Sequence, residues 1–322
     1  MSRNYVSITV PSRIAIGLIG LSERGYRING GAGWALLGPS IEVRASRTSS
    51  YTVCDTRLVG MAKSELMKLE EVLHAFCQIN DLSPVGIEIA GDVATHAGLG
   101  SGTAIRLAAL ESTALLNNKL VPREALVLAS GRGGTSGIGV RTYFEGGFIL
   151  DVGQRSGDSP RPSHAWEKPQ QALQLTRLDM PSWPIGLYQP QGFSLLSHEE
   201  EREFFERVLP ISFENVAEVL YHMTYGVAGA IAEADHTTFC RAVDAIQSTT
   251  WKAAEWSRYG ERLRSEADIL RLAGAEGLGM SSLGPLLYFS AASFDMSKLP
   301  ANIASRILIT RAANCGRKVE LQ

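Results

Sequence analysis

The chain has 322 residues, 45% of them hydrophobic and 20% charged, with a formal net charge of −2. This length and composition predict a folded protein of two structural lobes and exclude extensive disorder. Acidic and basic residues are mixed along the chain, which argues against a nucleic-acid or membrane-surface role, because both usually require a basic face. No apolar run approaches the roughly 18 residues of a spanning helix. The N-terminus has no signal-peptide core, so we expect a cytoplasmic protein.

The cysteines and histidines show no metal-binding spacing. The four cysteines are scattered, which predicts four buried thiols in a cytoplasmic protein; they are Cys54, Cys77, Cys240 and Cys315. Four of the histidines likewise lack the partner spacing of a zinc site; they are His164, His198, His222 and His236.

The first half of the chain predicts strands interrupted by helices. Residues 5–10 alternate as a strand, which we expect to stop at Pro11, because proline cannot donate to a ladder. A stretch of small residues follows from Gly17 to Gly33. Further strands are predicted at 41–45, 51–53, 85–89 and 148–152. Apolar residues at helical spacing predict helices over 61–79, over 104–116 and after Pro122.

The second half is predicted to begin after a polar, proline-bearing stretch at 154–169, which gives domains at 1–155 and 170–322. A strand is predicted at 185–188, followed by amphipathic helices and then by a glycine- and serine-rich turn and a last strand. The helices are expected near 199–208, 215–233, 236–248 and 260–273, the turn at 277–284 and the strand at 286–290. Strands and helices mixed in this way predict an α+β or α/β protein.

The segment HAGLGSGT, residues 96–103, is the most informative part of the sequence. Its alternating glycines let the backbone curl so that N–H groups point inward. The helix that follows presents free N–H groups and a positive dipole end, which suits phosphate oxygens. The alternative is a glycine turn that only caps a packed helix. The segment lacks the lysine of a Walker loop and the acidic residue of a dinucleotide fingerprint. The candidate phosphate-binding residues are Gly98, Leu99, Gly100, Ser101, Gly102 and Thr103.

Two further glycine-rich loops follow. GRGGTSGIG, residues 131–139, contains Arg132, whose guanidinium can hold phosphate by two parallel hydrogen bonds; the alternative places it on a solvated surface. Its other candidate phosphate-binding residues are Gly133, Gly134, Thr135 and Gly137. The loop at 277–285 contains Ser281 and Ser282 and is equally consistent with a simple turn. Asp151 ends a strand near these loops and is either a magnesium ligand or a surface carboxylate.

These three loops, in this order, resemble the GHMP superfamily of small-molecule kinases, whose signature is Pro-x-x-x-Gly-Leu-Gly-Ser-Ser. Within it the chain is most similar to the β-ribofuranosylaminobenzene 5′-phosphate (β-RFAP) synthase family. The matching stretches are PSRI (11–14), GLGSGT (98–103), GRGGTSGIGV (131–140), EGGFILDVG (145–153) and GMSSLGPLLY (279–288). The resemblance implies an α+β fold, with an N-terminal domain like domain 2 of ribosomal protein S5, a C-terminal α/β-sandwich domain, and a homodimer.

The resemblance also implies an activity. Members of this family join 5-phosphoribosyl 1-diphosphate (PRPP) to an aromatic carboxylic acid, release carbon dioxide and diphosphate, and leave a C-riboside. Magnesium is the implied cofactor, and PRPP and a small aromatic acid are the implied partners. The family also contains C-nucleoside synthases of the formycin and pyrazofurin type, which use an aminopyrazole carboxylate.

Departures from the kinase pattern argue against phosphorylation. The kinase loop has an aspartate where this chain has Gly139, and a second serine where it has Gly102. A kinase built on this sequence would lack its usual base.

Departures from the aminobenzoate-type synthases concern the acceptor. This chain has Ala15 for a histidine, Gly20 for an aspartate, and Asn29 for the aspartate before Gly30. These four are the candidate acceptor-binding residues. If they face the acceptor, it differs from aminobenzoate, and we expect an aminopyrazole dicarboxylate. The alternatives are a β-RFAP synthase that uses 4-amino- or 4-hydroxybenzoate (methanopterin pathway), an ATP-dependent GHMP kinase, and a non-catalytic sensor of a phosphate ligand.

The expected reaction needs charge neutralisation more than a base. Diphosphate leaves an oxocarbenium-like carbon, so cations and N–H groups must stabilise the leaving group. Loss of carbon dioxide restores aromaticity, so no proton leaves the bond-forming carbon. We expect Arg13 to hold the acceptor carboxylate, Arg132 and Ser136 to act at the reacting centre, and Ser281 and Ser282 to close the pocket.

Overall fold

A computed structural model describes residues 4–155, 160, 162, 171–194 and 196–322. Its strands are β1 (Tyr5–Gly20), β2 (Arg27–Arg47), β3 (Thr52–Asp55), β4 (Val85–Gly91), β5 (Phe148–Asp151), β6 (Gln154–Arg155), β7 (Gln174–Leu178), β8 (Ile185–Tyr188), β9 (Glu276–Met280), β10 (Leu287–Ser290), β11 (Ile307–Thr310) and β12 (Lys318–Leu321).

The helices within the described residues are α1 (Lys63–Asn80), α2 (Ser101–Leu116), α3 (Arg123–Ser130), α4 (Ile138–Glu145), α5 (His198–Val208), α6 (Phe213–Tyr221), α7 (Gly229–Glu233), α8 (His236–Gln247), α9 (Thr250–Leu272) and α10 (Ala301–Ala304). A π-helical segment, His222–Ala228, joins α6 to α7. None of these helices is both long and apolar enough to cross a bilayer.

The larger sheet is built on a long antiparallel hairpin of β1 and β2. Around it the strand order is β12-β1-β2-β4-β3, with β5 and β6 also paired to β2, and β7 paired to β5. The smaller antiparallel sheet has the order β11-β8-β10-β9. Two sheets combined with helices confirm the predicted α+β class.

Strand β1 does not stop at Pro11, so that prediction is wrong. The strand continues to Gly20, with register shifts between Pro11 and Arg13 and between Ala15 and Gly17. A proline at a bulge removes no regular ladder bond, which explains why the strand tolerates it. The predicted small-residue stretch forms the far end of the hairpin, where strands approach closely: a Cβ on Gly33 would lie 2.0 Å from the carbonyl oxygen of Ile14.

Helix α2 packs across this hairpin and is the centre of the larger hydrophobic core. The sequence-predicted helix at 104–116 is confirmed, and its apolar residues Ile105, Leu107 and Leu110 are fully buried. The rings of Trp34 on β2 and Tyr288 on β10 meet edge to face at 5.4 Å. This contact joins the two sheets. Helix α2, which follows the first glycine-rich loop, is thus held in place by the β1–β2 hairpin on which it packs.

Several element boundaries differ from those predicted. The helix expected at 215–233 is divided by the π-helical segment. The helix expected at 260–273 is the second part of α9, which starts at Thr250 and breaks at Gly260 (φ 67°, ψ −165°). The third glycine-rich loop starts as strand β9 and turns only after Met280.

The predicted domain boundary at 154–169 lies mostly outside the described residues, so the division into 1–155 and 170–322 stays a prediction. Strands β7 and β12, from the second half of the chain, complete the larger sheet.

The expectation of four buried thiols is half wrong. Cys77 and Cys240 are buried, whereas Cys54, on the short strand β3, and Cys315 are exposed. A short strand near the edge of a sheet exposes alternate side chains, which accounts for Cys54.

A buried ion pair anchors the segment that precedes the first glycine-rich loop. Asp55 accepts two hydrogen bonds from the Arg57 guanidinium, at 2.6 and 2.9 Å, and the two side chains are 2% and 1% exposed. Arg57 also donates to the Val93 carbonyl at 2.8 Å and to the Thr95 hydroxyl at 2.9 Å. This pair therefore ties the end of β3 to the loop entrance.

Removing the acidic partner should destabilise the fold strongly. For Asp55→Ala we expect a loss of about 3–5 kcal/mol in the free energy of unfolding, because Arg57 is left as an uncompensated buried charge. Urea denaturation measures it. The control is Glu206→Ala, whose pair with Arg202 is 61% exposed on the glutamate side and should contribute less than about 1 kcal/mol. Equal losses in both variants would contradict this account.

Candidate functional site

The three glycine-rich loops meet around one cavity of about 220 Å³, which we call the loop cavity. Strand β1, the three loops and helices α1, α5 and α9 contribute to its wall. The first and second loops therefore lie at the same cavity.

The first loop places the beginning of α2 at the cavity wall. Gly98 and Gly100 have positive φ angles of 88° and 78°, which favour glycine. Helix α2 begins at Ser101, so the amides of its first turn have no acceptor within the helix and lie at its positive dipole end. Gly98 and residues 100–103 line the cavity, whereas Leu99 turns into the core and is 5% exposed.

Arg13 lies buried under this loop. Its Nη1 donates to the Gly98 carbonyl at 2.9 Å, and its backbone N–H donates to the Leu99 carbonyl at 3.0 Å. A Cβ on Gly100 would lie 2.8 Å from the Arg13 side chain, so only glycine leaves it room. Burial lowers the pKa of Arg13 to about 10, and its Nε has no hydrogen-bond partner. The first loop thus encloses the Arg13 guanidinium, which does not have a hydrogen-bond partner for every N–H group.

Arg132 is the matching charge from the second loop. A Cβ on Gly102 would lie 3.2 Å from its Nη2, so the glycine that replaces the kinase serine gives this guanidinium space. Burial, and after it the charge of Arg106, lowers the pKa of Arg132 to about 10. The Nε atoms of both Arg106 and Arg132 lack partners. Arg13, Arg106 and Arg132 thus place three positive charges at this part of the cavity wall.

The second loop contributes side chains rather than a helix N-terminus. Thr135 and Ser136 line the cavity, but the Gly137 amide, at the start of α4, donates to Asp151 Oδ2 at 2.9 Å. The other oxygen of Asp151 accepts from the Gly153 amide at 3.0 Å. The position expected to hold phosphate is thus filled by a carboxylate of the protein. Asp151 is fully buried and does not line the cavity.

Three of the four predicted acceptor positions lie behind the second loop. Asn29 Nδ2 donates to the Gly134 carbonyl at 3.1 Å, and the Gly30 amide donates to the Thr135 carbonyl at 2.8 Å. Gly20 pairs with Asn29 across the hairpin, where a Cβ on Gly20 would meet the Asn29 carbonyl at 2.6 Å. Only Ala15 reaches the cavity wall. Gly133 and Gly134 also lie outside it.

The third loop fastens the first loop to β1. Ser281 Oγ donates to the Gly98 carbonyl at 2.7 Å and accepts from the Ala15 amide at 3.2 Å, and Ser281 is fully buried. Ser282, with a φ of 55°, donates its amide to the Ala15 carbonyl at 3.1 Å and lines the cavity. Of the two serines, Ser282 is in place to contact a ligand.

One part of the cavity wall was not predicted from the sequence. This part is apolar and aromatic and includes the carboxylate of Glu255. The apolar residues are Leu18, Leu196, Phe205, Trp251 and Leu283. Glu255 accepts from Trp251 Nε1 at 2.5 Å and from Lys252 Nζ, which also donates to the Met280 carbonyl at 2.7 Å. Burial raises the pKa of Glu255, against the opposing charge of Lys252. Trp251 was expected in the core and is 2% exposed, yet it also lines the site.

Two cations of the cavity wall were also missed. Arg106 and Lys68 line the cavity. Arg106 had a signal in the sequence: it is the one charged residue in the first two turns of an otherwise apolar helix, close after the glycine-rich loop. His96 also lines the cavity and bonds to Glu65 at 2.8 Å. Arg141, on helix α4, pairs with Glu145 at 3.6 Å, outside the wall.

Solved structures with this fold include small-molecule kinases and decarboxylases. Homoserine kinase from Cytophaga hutchinsonii matches with a TM-score of 0.66 at 15% identity, over 99% of this chain and 98% of that one. Mevalonate diphosphate decarboxylase from Staphylococcus aureus matches with a TM-score of 0.64 at 15% identity, over 98% of both chains. At such low identity these matches show the fold alone, and they confirm the expected GHMP-kinase-like architecture.

Sequence relatives are closer. The β-ribofuranosylphenol 5′-phosphate synthase of Archaeoglobus fulgidus is 31% identical over 328 residues, 98% of this chain and 99% of the relative. The enzyme of the same name from Methanothermobacter thermautotrophicus is 28% identical over 96% of this chain and 97% of the relative. No family model matches the chain.

The buried carboxyl behind the second loop predicts a pH effect on stability. Burial raises the pKa of Asp151 to about 7, despite the two amides that lower it. The folded protein therefore holds a proton that the unfolded chain releases above about pH 4, and this group lowers the free energy of unfolding as pH rises to about 7.

In Asp151→Asn that slope should disappear. The loss of stability relative to the parent protein should be largest near pH 4 and shrink toward pH 7, by at most about 1.4 kcal/mol per pH unit. Urea unfolding at several pH values measures it. A stability difference that is constant over this range would contradict a raised pKa at Asp151.

Proposed function

We propose that this chain, which belongs to the β-RFAP synthase family, transfers the 5-phosphoribosyl group of PRPP to a ring carbon of an aromatic carboxylic acid, with release of carbon dioxide and diphosphate. The observation that carries the proposal is the wall of the loop cavity, which combines arginines and the free amides at the start of α2 with aromatic side chains and the carboxylates of Glu201 and Glu255. Such a cavity suits an anionic sugar donor and a flat acceptor side by side.

The diphosphate of PRPP would accept hydrogen bonds from the first turn of α2 and from Arg13, Arg106 and Arg132. When the bond between C1 and the diphosphate oxygen breaks, its electron pair leaves with the diphosphate. The N–H groups are then already oriented toward the developing charge, which is the most effective form of electrostatic stabilisation. Ser136 and Thr135, at the same wall, would position the sugar.

The acceptor ring would pack against Trp251 and Phe205, which line the same cavity. The ring carbon that bears the carboxylate supplies the electron pair of the new bond to C1, and the carbon–carboxylate bond then breaks to restore aromaticity. A para hydroxyl can donate to Glu255, whose oxygens each accept one bond within the protein and keep further acceptor capacity. Glu255 would take the hydroxyl proton as the ring attacks and return it once carbon dioxide leaves.

Magnesium, the expected cofactor, is typically held by substrate phosphates and one or two carboxylates. Asp151 does not fit this role, because it is buried and both its oxygens accept backbone amides. Glu201 fits better: it lines the loop cavity, and its charge acts on both Arg13 and Arg132. We propose Glu201 as the carboxylate that would hold magnesium, which supplies charge neutralisation on the diphosphate when bound.

The proposed acceptor is 4-hydroxybenzoate or its 4-amino analogue. The relatives are named for a ribosylated phenol, which favours this alternative over the aminopyrazole dicarboxylate that the sequence departures suggested. Of those departures only Ala15 lines the cavity, so the argument for a different acceptor rests on one residue instead of three.

The kinase and sensor alternatives are less well supported. At the position of the kinase aspartate, a Cβ on Gly139 would lie 3.3 Å from the Thr103 side chain. The position thus faces the first loop, but it carries no group that could act as a base.

Turnover with defined acceptors tests the proposal. Incubation with PRPP, magnesium and 4-hydroxybenzoate should release diphosphate and labelled carbon dioxide in equal amounts and leave a ribosylphenol phosphate. Aminopyrazole dicarboxylate, 4-aminobenzoate and ATP with homoserine are run in parallel. PRPP binding without turnover of any aromatic acid would support the sensor, and phosphorylation by ATP would support the kinase; either result would overturn the synthase.

Arg132→Gln should weaken donor binding. We expect the dissociation constant for PRPP to rise by roughly 10- to 150-fold, because a charge-assisted hydrogen bond contributes about 1.5–3 kcal/mol. The matched control is Arg141→Gln, on helix α4 directly after the second loop and outside the cavity wall. Calorimetry with PRPP measures both. Without ligand, Arg132→Gln should be no less stable than the parent, because the partly unsatisfied buried charge is gone. Equal affinities in the two variants would remove Arg132 from the donor site.

Glu255→Gln should impair chemistry and spare donor binding. We expect kcat to fall by about 10²–10⁴, the usual contribution of a general base, with the PRPP dissociation constant unchanged. Because the pKa of Glu255 is raised, the acidic limb of the kcat/KM profile should lie above the usual glutamate range and vanish in the variant. Glu261→Gln, on the same helix and outside the loop cavity, is the control. Normal kcat in Glu255→Gln would exclude this role.

A further inference from the structure

A second cavity, of about 730 Å³, lies away from the loop cavity and shares no lining residue with it. It is bounded by α8, by the second part of α9 and by the start of β9. Cys240 and Glu276 line it, and His236 lies one helical turn before Cys240 on α8. Nothing in the proposed ribosyl transfer uses these residues.

Three potential metal ligands converge here. The Cys240 Sγ lies 3.5 Å from His236 Nε2, and the other ring nitrogen, Nδ1, lies 3.9 Å from Glu276 Oε2. One ligand atom from each of the three residues lies within 4.8 Å of the other two. Ligands at about 2.0–2.3 Å from a tetrahedral zinc ion are spaced by about 3.3–3.8 Å. Small side-chain rotations would therefore suffice to bring the three ligand atoms to the spacing that a tetrahedral zinc ion requires.

The charged residues that line this cavity are of both signs. Four are acidic and three are basic, and Arg271 pairs with Asp268 at 2.9 Å; the acidic residues are Asp244, Glu261, Asp268 and Glu276, and the basic ones are Arg241, Arg264 and Arg271. A divalent ion bound by Cys240 would replace the thiol proton. The Ser290 hydroxyl lies 2.6 Å from His236 Nε2; with Nδ1 as the metal ligand, this hydroxyl would restrain the ring, as outer-shell partners of metal-bound histidines do.

We propose that His236, Cys240 and Glu276 bind a zinc ion, with a water molecule from the second cavity as the fourth ligand. A thiolate and an imidazole select zinc over magnesium or calcium. Residues i and i+4 share one face of α8, and Glu276 arrives from β9, so the ion would clamp this helix to the smaller sheet. The sequence shows Cys240 four residues after His236, a spacing that was not recognised as a ligand pair, and Glu276 is distant along the chain.

Zinc titration of the tag-free protein tests the site. After treatment with a chelator and dialysis, zinc is titrated in competition with a chromophoric chelator, and thermal unfolding is followed with and without zinc. We expect one zinc ion per chain and a melting temperature that rises with zinc concentration, since a ligand that binds only the folded state stabilises it. Binding well below one ion per chain would overturn the proposal.

Variants identify the ligands. Cys240→Ser and Glu276→Gln should each weaken zinc binding by more than about tenfold, which is the smallest usual cost of losing even an outer-shell partner. Cys77→Ser, which removes the other buried thiol, and Cys54→Ser, which removes an exposed one, should leave zinc affinity unchanged. Zinc affinity that is unchanged in Cys240→Ser, or lost in the control variants, would refute the site.

Cobalt substitution adds a spectroscopic readout. A thiolate-to-cobalt charge-transfer band is expected in the parent protein and should be absent in Cys240→Ser. If that variant does not fold, Glu276→Gln carries the test, because the Glu276 side chain is 47% exposed. PRPP binding to the zinc-free protein is measured in parallel, so failure of the zinc site and failure of the proposed synthase are separately visible.

Discussion

The site depends on two half-buried arginines whose guanidinium groups the protein satisfies only in part. Arg13 and Arg132 are both buried deeply enough to lower their pKa values to about 10, and each retains an Nε with no partner. Uncompensated buried charge is destabilising. The surrounding fold must therefore hold these side chains in place, and the rigid packing of α2 on the β1–β2 hairpin does so.

The same two arginines explain the glycines of the first loop. Gly100 and Gly102 lie against Arg13 and Arg132, and a side chain at either position would crowd a guanidinium. In the kinase signature the second of these positions is serine. The change to glycine thus removes a hydroxyl and leaves room for the Arg132 guanidinium at the start of α2. A guanidinium at this place suits a donor with a large anionic leaving group better than it suits a phosphoryl transfer.

Much of the fold was predictable, because a regular spacing of apolar residues over a long segment indicates its secondary structure. The helices α1 and α2 and strand β4 follow directly from apolar spacing. The prediction ended strand β1 too early, at Pro11, because a single sequence does not show that a β-bulge accommodates the proline. The part of the cavity wall formed by the glycine-rich loops was predicted from those loops. The part formed by Trp251 and Glu255 was not predicted, because the pattern of these residues is that of a buried helix face and does not show that α9 lies against β1.

The pairing of β12 with β1 has a consequence for how the protein acquires its site. β1 lies between β2, its neighbour in sequence, and β12, from the far end of the chain, with Val6 opposite Leu321. Contacts of such long sequence separation form slowly, because loop closure must be achieved before they contribute. Until they form, β1 is an open sheet edge, the kind of surface through which chains associate. The strand that carries Arg13 is therefore exposed to misassembly until β12 has paired with it.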